Sequence, residues 1–166
     1  TGDIYCLFYE RAYQLLRQGG ILCYITSNKW MRAGYGDKTR GFLTSKTNPV
    51  MLVNFAGVQI FESATVDTNI LLYHKDEYLH KTLCVAMSKK DKDCVKNLSD
   101  FVKQSGCYNS FEGDASWVIL TPIEQSIKQK IEAVGTPLKD WDIQINYGIK
   151  TGCNEAFIIN TEKRDE

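Results

Sequence analysis

The sequence is short of the residues that most often announce a function. It has two histidines, three prolines that never adjoin one another, and six cysteines with no two arranged as C-x-x-C. His74 and His80 lie in a polar stretch with no cysteine or carboxylate at ligand spacing, which excludes a metal centre or a histidine general base built on them. Cys6, Cys23, Cys84, Cys94, Cys107 and Cys153 are scattered, so they read as reduced packing residues of a cytoplasmic protein rather than zinc ligands or disulfides. No apolar run is long enough to span a bilayer, and none has the form of a signal peptide, so no membrane partner is expected. Charge of one sign is missing too: Lys+Arg and Asp+Glu both number 20, so no global field draws in a nucleic acid and only a local basic patch is left. No G-x-G-x-x-G follows a strand, Ser27 has no triad context, and there is no PD-(D/E)xK nuclease signature. Repeats and low-complexity segments are absent as well.

What is present is a core-forming chain of 166 residues, 43% of them apolar, which suits one ordinary domain or a domain with a fragment of another. It opens on Thr1-Gly2-Asp3 and enters a helix at once, which leads us to expect a piece of a longer polypeptide. Ile4, Leu7, Phe8, Leu15 and Leu16 recur at helical spacing and predict one buried stripe, with Asp3 as N-cap and Gly19-Gly20 as the stop. Ile21 to Ile25 is a continuous apolar run, as expected of a parallel strand covered on both faces. Asp37 to Ser45 predicts a short helix, Val50 to Phe55 a second strand, Gly57 to Thr65 a loop, and Asp67 to Tyr73 a third strand.

Past His74 the chain turns more polar. The run Lys89 to Asp93 reads as a solvated turn, Thr82 to Met87 as an edge strand, Leu98 to Lys103 as a helix, and Ser116 to Leu120 as a strand. Pro122 opens a helix with Ile123, Ile127 and Ile131 on one face, stopped by Gly135 and Pro137. Ile143, Ile145 and Tyr147 then alternate, before a Gly148/Gly152 loop and the apolar stretch Ala156 to Ile159. The order of elements suits the second half of a doubly wound α/β sheet ending in a hairpin. The residues Thr26 to Trp30 fall just past a strand's carboxyl end, where open α/β sheets bind ligands.

Three segments carry a family resemblance. Asp3-Ile4-Tyr5-Cys6-Leu7-Phe8, then Gly19-Gly20-Ile21-Leu22 with Ile25-Thr26-Ser27-Asn28-Lys29-Trp30-Met31, then Phe61 followed by Thr65-Val66-Asp67-Thr68-Asn69-Ile70, succeed one another as in the gamma-class amino-group DNA methyltransferases. The chain most resembles the fused type II (type IIG or IIS) restriction-modification enzymes that methylate adenine N6. Gly148 to Ile159 is similar to the segment that opens their target-recognition domain.

The resemblance implies an α/β fold: the C-terminal half of a Rossmann-like S-adenosylmethionine-dependent methyltransferase sheet ending in a β-hairpin, then a mixed α+β region. It implies three parts: 1–75 as the second half of the catalytic domain, 76–142 as a connecting region, and 143–166 as the start of target recognition. The cofactor would be S-adenosylmethionine, with no metal needed for methylation. The partners would be double-stranded DNA, the missing N-terminal half of the methyltransferase domain and the recognition domain of the same chain, in a bacterial cytoplasm. The family's Asn/Asp-Pro-Pro-Tyr/Phe motif and its cofactor glycine loop have no counterpart here, so no catalytic residue is expected in this chain, and by itself it is expected to be inactive.

Residue by residue, Phe61 alone reads as a core side chain, whereas the resemblance implies that it packs against a flipped adenine together with Asn28 and Trp30. Trp30 also suits a cap on the core. Phe8 borders the cofactor in relatives, while Tyr5 beside it reads as packing. Lys29, Arg32 and Arg40, with Lys38 nearby, are expected on a DNA-facing rim, and Lys150, Thr151 and Asn154 in a glycine-flanked loop that serves equally as a tight turn. Two other readings stay open: a methyltransferase for protein or RNA, and a non-catalytic α/β binding module.

Overall fold

The computed structural model describes residues 2–62, 66–144, 146 and 148. Among the described residues the chain forms α1 (Tyr5–Leu15), β1 (Ile21–Ser27), α2 (Asp37–Lys46), β2 (Asn48–Asn54), β3 (Thr68–His74), β4 (Thr82–Ala86), α3 (Leu98–Ser105), β5 (Cys107–Asn109) and α4 (Pro122–Val134), with short 3₁₀ turns between. It divides into two compact units, Thr1–Ile127 and Lys128–Glu166.

The first unit is built on one mixed α/β sheet in the order β1-β3-β2-β4-β5. β3 runs antiparallel to both of its neighbours, β1 and β2, so these two point the same way with β3 inserted between them. β4 is parallel to β2, and β5 closes the far edge antiparallel to β4. The expected hairpin is the β2–β3 pair, and the fold class is the expected α/β one. Because Ser27 pairs with Thr68 and Asn54 with Asn69, the carboxyl ends of β1 and β2 meet at one margin of the sheet.

One face of the sheet is covered by α1 and α2 and holds the larger core: Tyr9, Ala12, Leu22, Trp30, Met31, Leu43, Leu52, Leu71, Tyr73, Cys84, Phe111 and Trp117. Its aromatic column is ordered edge to face, Tyr9 to Trp30 at 5.9 Å and Trp30 to Trp117 at 5.1 Å, and ends with Phe111 stacked on Trp117 at 4.1 Å. The other face is covered on the β4 side by the segment through α3, around Val53, Phe55, Val58, Val85, Met87 and Val102.

Several elements depart from the sequence expectations. β1 lies at a sheet edge and pairs antiparallel with β3 instead of lying between parallel neighbours, so Ile21, Cys23 and Ile25 stay exposed while Leu22 is buried. The stripe Ile4, Leu7, Phe8 and Leu15 is the outer face of α1. The helix instead packs through Tyr9 and Ala12, joined by Tyr5, Cys6, Tyr13 and Leu16. That face prevails because its phenols find partners inside: Tyr9 Oη shares a hydrogen bond with Thr26 Oγ1 (2.7 Å), and Tyr73 Oη donates to the Tyr9 carbonyl (2.8 Å). Burial pushes the ionisation of both phenols well up, so each stays neutral. Asp3 makes no side-chain cap, and the helix stops at Leu15, ahead of the turn at Gly19.

β4 is an inner strand, the run Lys89–Asn97 winds into a 3₁₀ helix capped by Ser88 and Asp91, and residues 116–120 form no strand. Trp117 is nonetheless fully buried, with its N–H on the Met31 carbonyl (2.8 Å). Ile123, Ile127 and Ile131 of α4 are exposed. In the second unit Gly135 N–H closes the helix on the Ile131 carbonyl (2.7 Å), and Trp141 Nε1 donates to the Thr136 carbonyl (3.0 Å). No described helix is long and apolar enough to cross a membrane.

Arg40 departs furthest from its expected place. Only 4% exposed on α2, it donates Nε to the Asp114 carbonyl (2.7 Å) and Nη1 to the carbonyls of Trp30 (2.6 Å) and Ala33 (2.9 Å). Its expected role as a phosphate contact is corrected: three backbone acceptors converge on the guanidinium and take it out of solvent. Gly36 makes room for this, since a Cβ there would lie 2.0 Å from the Trp30 carbonyl oxygen and 2.7 Å from Arg40 Nη1. Hydrogen bonds from a charged donor contribute about 1.5–3 kcal/mol each and are not additive, so Arg40→Met is expected to lower the unfolding free energy by about 3 kcal/mol in urea titration. Arg40→Lys recovers only part of it, because an ammonium lacks the planar fork. A loss below about 1 kcal/mol would return Arg40 to the surface.

Candidate functional site

The site lies where the carboxyl ends of β1 and β2 meet. Both strands leave their apolar runs on an asparagine: Asn28 just past β1 and Asn54 at the end of β2. Asn28 Nδ2 donates to Asn54 Oδ1 (2.8 Å), bridging the two strand ends across the start of β3. Around this bridge is a cleft of about 360 Å³ lined by Asn28, Lys29, Met31, Arg32, Ala33, Asn54, Ala56 and Asp67. Such a crevice at the carboxyl ends of strands is the ordinary ligand position of an open α/β sheet.

The floor of the cleft is tied to the core. The turn 28–32 winds as 3₁₀, with Met31 N–H on the Asn28 carbonyl (3.1 Å) and Ala33 N–H on the Lys29 carbonyl (2.9 Å). Trp30 N–H donates to Tyr5 Oη (3.1 Å), which shares a further hydrogen bond with Tyr35 Oη (3.1 Å). Burial, reinforced by the Tyr35 hydroxyl, pushes the Tyr5 phenol far up, so the pair stays uncharged under the turn. Asn69 Nδ2 donates to the Ser27 carbonyl (3.0 Å), while Asn69 Oδ1 and Trp30 Nε1 are buried without a protein partner.

Three of the expected residues are brought together: Asn28, Lys29 and Arg32 share the cleft wall, the two cations exposed. Trp30 is fully buried beneath them, so its direct contact with a base is corrected to packing under the cleft; the column of Tyr9 and Trp117 claims both sides of the indole. Phe61 is 44% exposed, belongs to neither core cluster, and sits in the loop whose two ends, Ala56 and Asp67, line the cleft. Gln59 Nε2 donates to the Phe61 carbonyl (3.0 Å) and steadies that loop locally. Phe8 lies apart, on the outer face of α1. Lys150, Thr151 and Asn154, with the alternation through Ile145 and Tyr147 and the stretch to Ile159, fall outside the described residues.

Sequence reasoning missed Asn54 and Asp67. The signal for Asn54 was there, an amide closing an apolar strand at the position matching Asn28; Asp67 gave none beyond its place before β3. Among the described residues no group of three or more His, Cys, Asp or Glu is placed to hold a metal ion.

The fold and cleft define an α/β domain of the kind that binds ligands at its strand ends. Comparison with known proteins narrows the class. Residues 1–61 match the family model described as Eco57I restriction-modification methylase. The chain is 26% identical over 159 residues to the type II restriction enzyme and methyltransferase RM.Eco57I of Escherichia coli, covering 94% of this chain and 16% of that one. It is 21% identical over 173 residues to the type II methyltransferase M.PaeR7I of Pseudomonas aeruginosa, covering 98% of this chain and 30% of that one. Among solved structures, the M protein of the type I restriction enzyme EcoKI matches with a TM-score of 0.50 at 17% identity, over 61% of this chain and 24% of that one, a likeness of fold. The chain is thus a relative of the type II restriction-modification methyltransferases, as its motifs led us to expect, and it spans between about a sixth and a third of the length of the curated relatives it matches.

Because Phe61 is outside both cores, Phe61→Ala is expected to change the unfolding free energy by less than about 0.5 kcal/mol in chemical denaturation. A buried phenylalanine would cost about 3–5 kcal/mol, and a loss in that range would put the ring back in the interior.

Proposed function

We propose that this chain is the second half of the catalytic domain of a restriction-modification DNA methyltransferase that methylates N6 of an adenine flipped out of duplex DNA. The observation that carries this reading is the cleft at the strand ends, with the Asn28 amide and two exposed cations on its wall and the Phe61 loop springing from its rim. A flipped base needs a ring to stack on and polar groups that engage its edge; Phe61 supplies the first and Asn28 the second. Lys29 and Arg32 contact the phosphates on either side of the extruded nucleotide and fix the register without reading sequence. Trp30 and Arg40 support that wall from below.

S-adenosylmethionine supplies the methyl group in this reading. The described residues do not form a cradle for it: Phe8 offers one ring on an open helix face, and no glycine loop is present. No step is therefore routed through the cofactor, whose site is assigned to polypeptide outside this chain. Two features support a missing N-terminal half as partner. β1 has an unpaired edge, and Ile21, Cys23 and Ile25 on its face and Ile4, Leu7, Phe8 and Leu15 on α1 are exposed, as faces that pack elsewhere would be. In this reading 1–75 is catalytic, 76–142 connects, and 143–166 opens target recognition, in a cytoplasmic enzyme with a fused endonuclease elsewhere in the polypeptide. The 166-residue chain alone is inactive.

The test uses the full polypeptide that carries this sequence. It is expected to transfer methyl groups to adenine N6 in duplex DNA, and Phe61→Ala is expected to slow transfer roughly 5- to 150-fold, the rate equivalent of about 1–3 kcal/mol of stacking. Fluorescence of 2-aminopurine at the target position reports the base leaving the stack; unchanged turnover and unchanged fluorescence in Phe61→Ala would remove the ring from the site. Lys29→Glu and Arg32→Glu are each expected to weaken DNA binding across sequences and to reduce the slope of log affinity against log salt by about 1.

A further inference from the structure

The Phe61 loop and the Asn28 turn come from different strands, yet a stacking ring and an edge-reading amide must hold one spacing to grip one base. Two residues that the functional reading above leaves without a role join them. Asp67 sits at the loop's far end: its backbone carbonyl accepts Asn28 N–H (3.0 Å), and its carboxylate Oδ1 accepts Gly57 N–H (3.1 Å) at the loop's near end. Gly57 takes a positive φ of 78°, which only a residue without a Cβ adopts readily, so its amide can turn back toward that carboxylate. Asn54, 6% exposed, accepts the Asn28 Nδ2 donor and thereby turns the opposite side of that amide, its carbonyl oxygen, away from the bridge. Asn28, Asn54 and Asp67 all line the cleft.

We infer that Asp67 and Asn54 are positioning residues: Asp67 clamps both ends of the Phe61 loop to the Asn28 turn, and Asn54 presents the Asn28 carbonyl oxygen as an acceptor for the exocyclic amine of the bound base. This rests on the methyltransferase reading for its substrate, and on hydrogen-bond geometry alone for the clamp. Neither residue touches the reacting atoms. An acceptor aimed at the N6 amine engages one of its hydrogens, which discriminates an amino-bearing purine from one carrying a carbonyl at the same position.

The test again uses the full polypeptide, with Asp67→Ala, Asp67→Asn, Asn54→Leu and Asn54→Asp. Hydrogen exchange at the Gly57 amide is expected to quicken more than tenfold in Asp67→Ala and to return to within threefold of the original in Asp67→Asn, which keeps an acceptor oxygen. Single-turnover methyl transfer at saturating duplex is expected to fall more than tenfold in Asn54→Leu with DNA affinity within twofold, and to recover to within threefold in Asn54→Asp, which still accepts from Asn28. Transfer by Asn54→Leu at the original rate, equal loss in Asn54→Leu and Asn54→Asp, or Gly57 exchange indifferent to Asp67→Ala would each overturn the assignment. If the unaltered polypeptide methylates no adenine, the functional reading fails and the amine-acceptor role with it, while Gly57 exchange still decides the clamp.

Discussion

The guanidinium of Arg40 is the contact on which the rest of this structure depends. It gathers the carbonyls of Trp30, Ala33 and Asp114, and so fastens three stretches that are remote in sequence: the turn after β1, helix α2, and the segment that leads to Trp117. A buried cation is costly unless its donors are matched, and here three carbonyl oxygens replace water. Trp117 fills the space beneath, its backbone on Met31 and its ring between Trp30 and Phe111. The cleft wall is therefore a surface of the core rather than a free loop, which is what a site on a rigid scaffold requires.

Topology does the remaining work of assembly. Inserting β3 antiparallel between β1 and β2 leaves those two strands parallel, one strand apart, with their carboxyl ends on the same margin. Two asparagines that end two separate apolar runs thereby come within hydrogen-bond distance, and the loop from β2 to β3 must cross the same margin to return. The cleft, its two amides, its two cations and the half-exposed phenylalanine are consequences of that one strand order.

The opposite edge of the sheet has a different character. β1 lacks a partner there among the described residues, and the apolar residues beside it on α1 face outward. Bare apolar surface next to an open strand edge is the signature of a face that packs against more protein. It agrees with a chain that spans only a fraction of the length of its methyltransferase relatives.

The sequence by itself determined which segments became helices and strands, because helical spacing, apolar runs and the breaks at Asn48-Pro49 and Pro122 are local properties that each segment carries whatever surrounds it. It determined the family too, through the order of short motifs, and it pointed to the stretch Asn28 to Arg32. Only the tertiary structure decided which face of α1 is buried: apolar and aromatic faces lie about one residue's rotation apart, and the tyrosines prevailed because Thr26 and the backbone offered their hydroxyls partners. The same holds for Arg40, basic and thus expected outside, but drawn in by carbonyls from distant segments; for Phe61, apolar and thus core-like, but left outside because its loop packs through Phe55 and Val58 instead; and for the meeting of Asn28 with Asn54. Each of these depends on which remote groups converge on a side chain, and convergence is a property of the folded sheet rather than of any stretch of sequence.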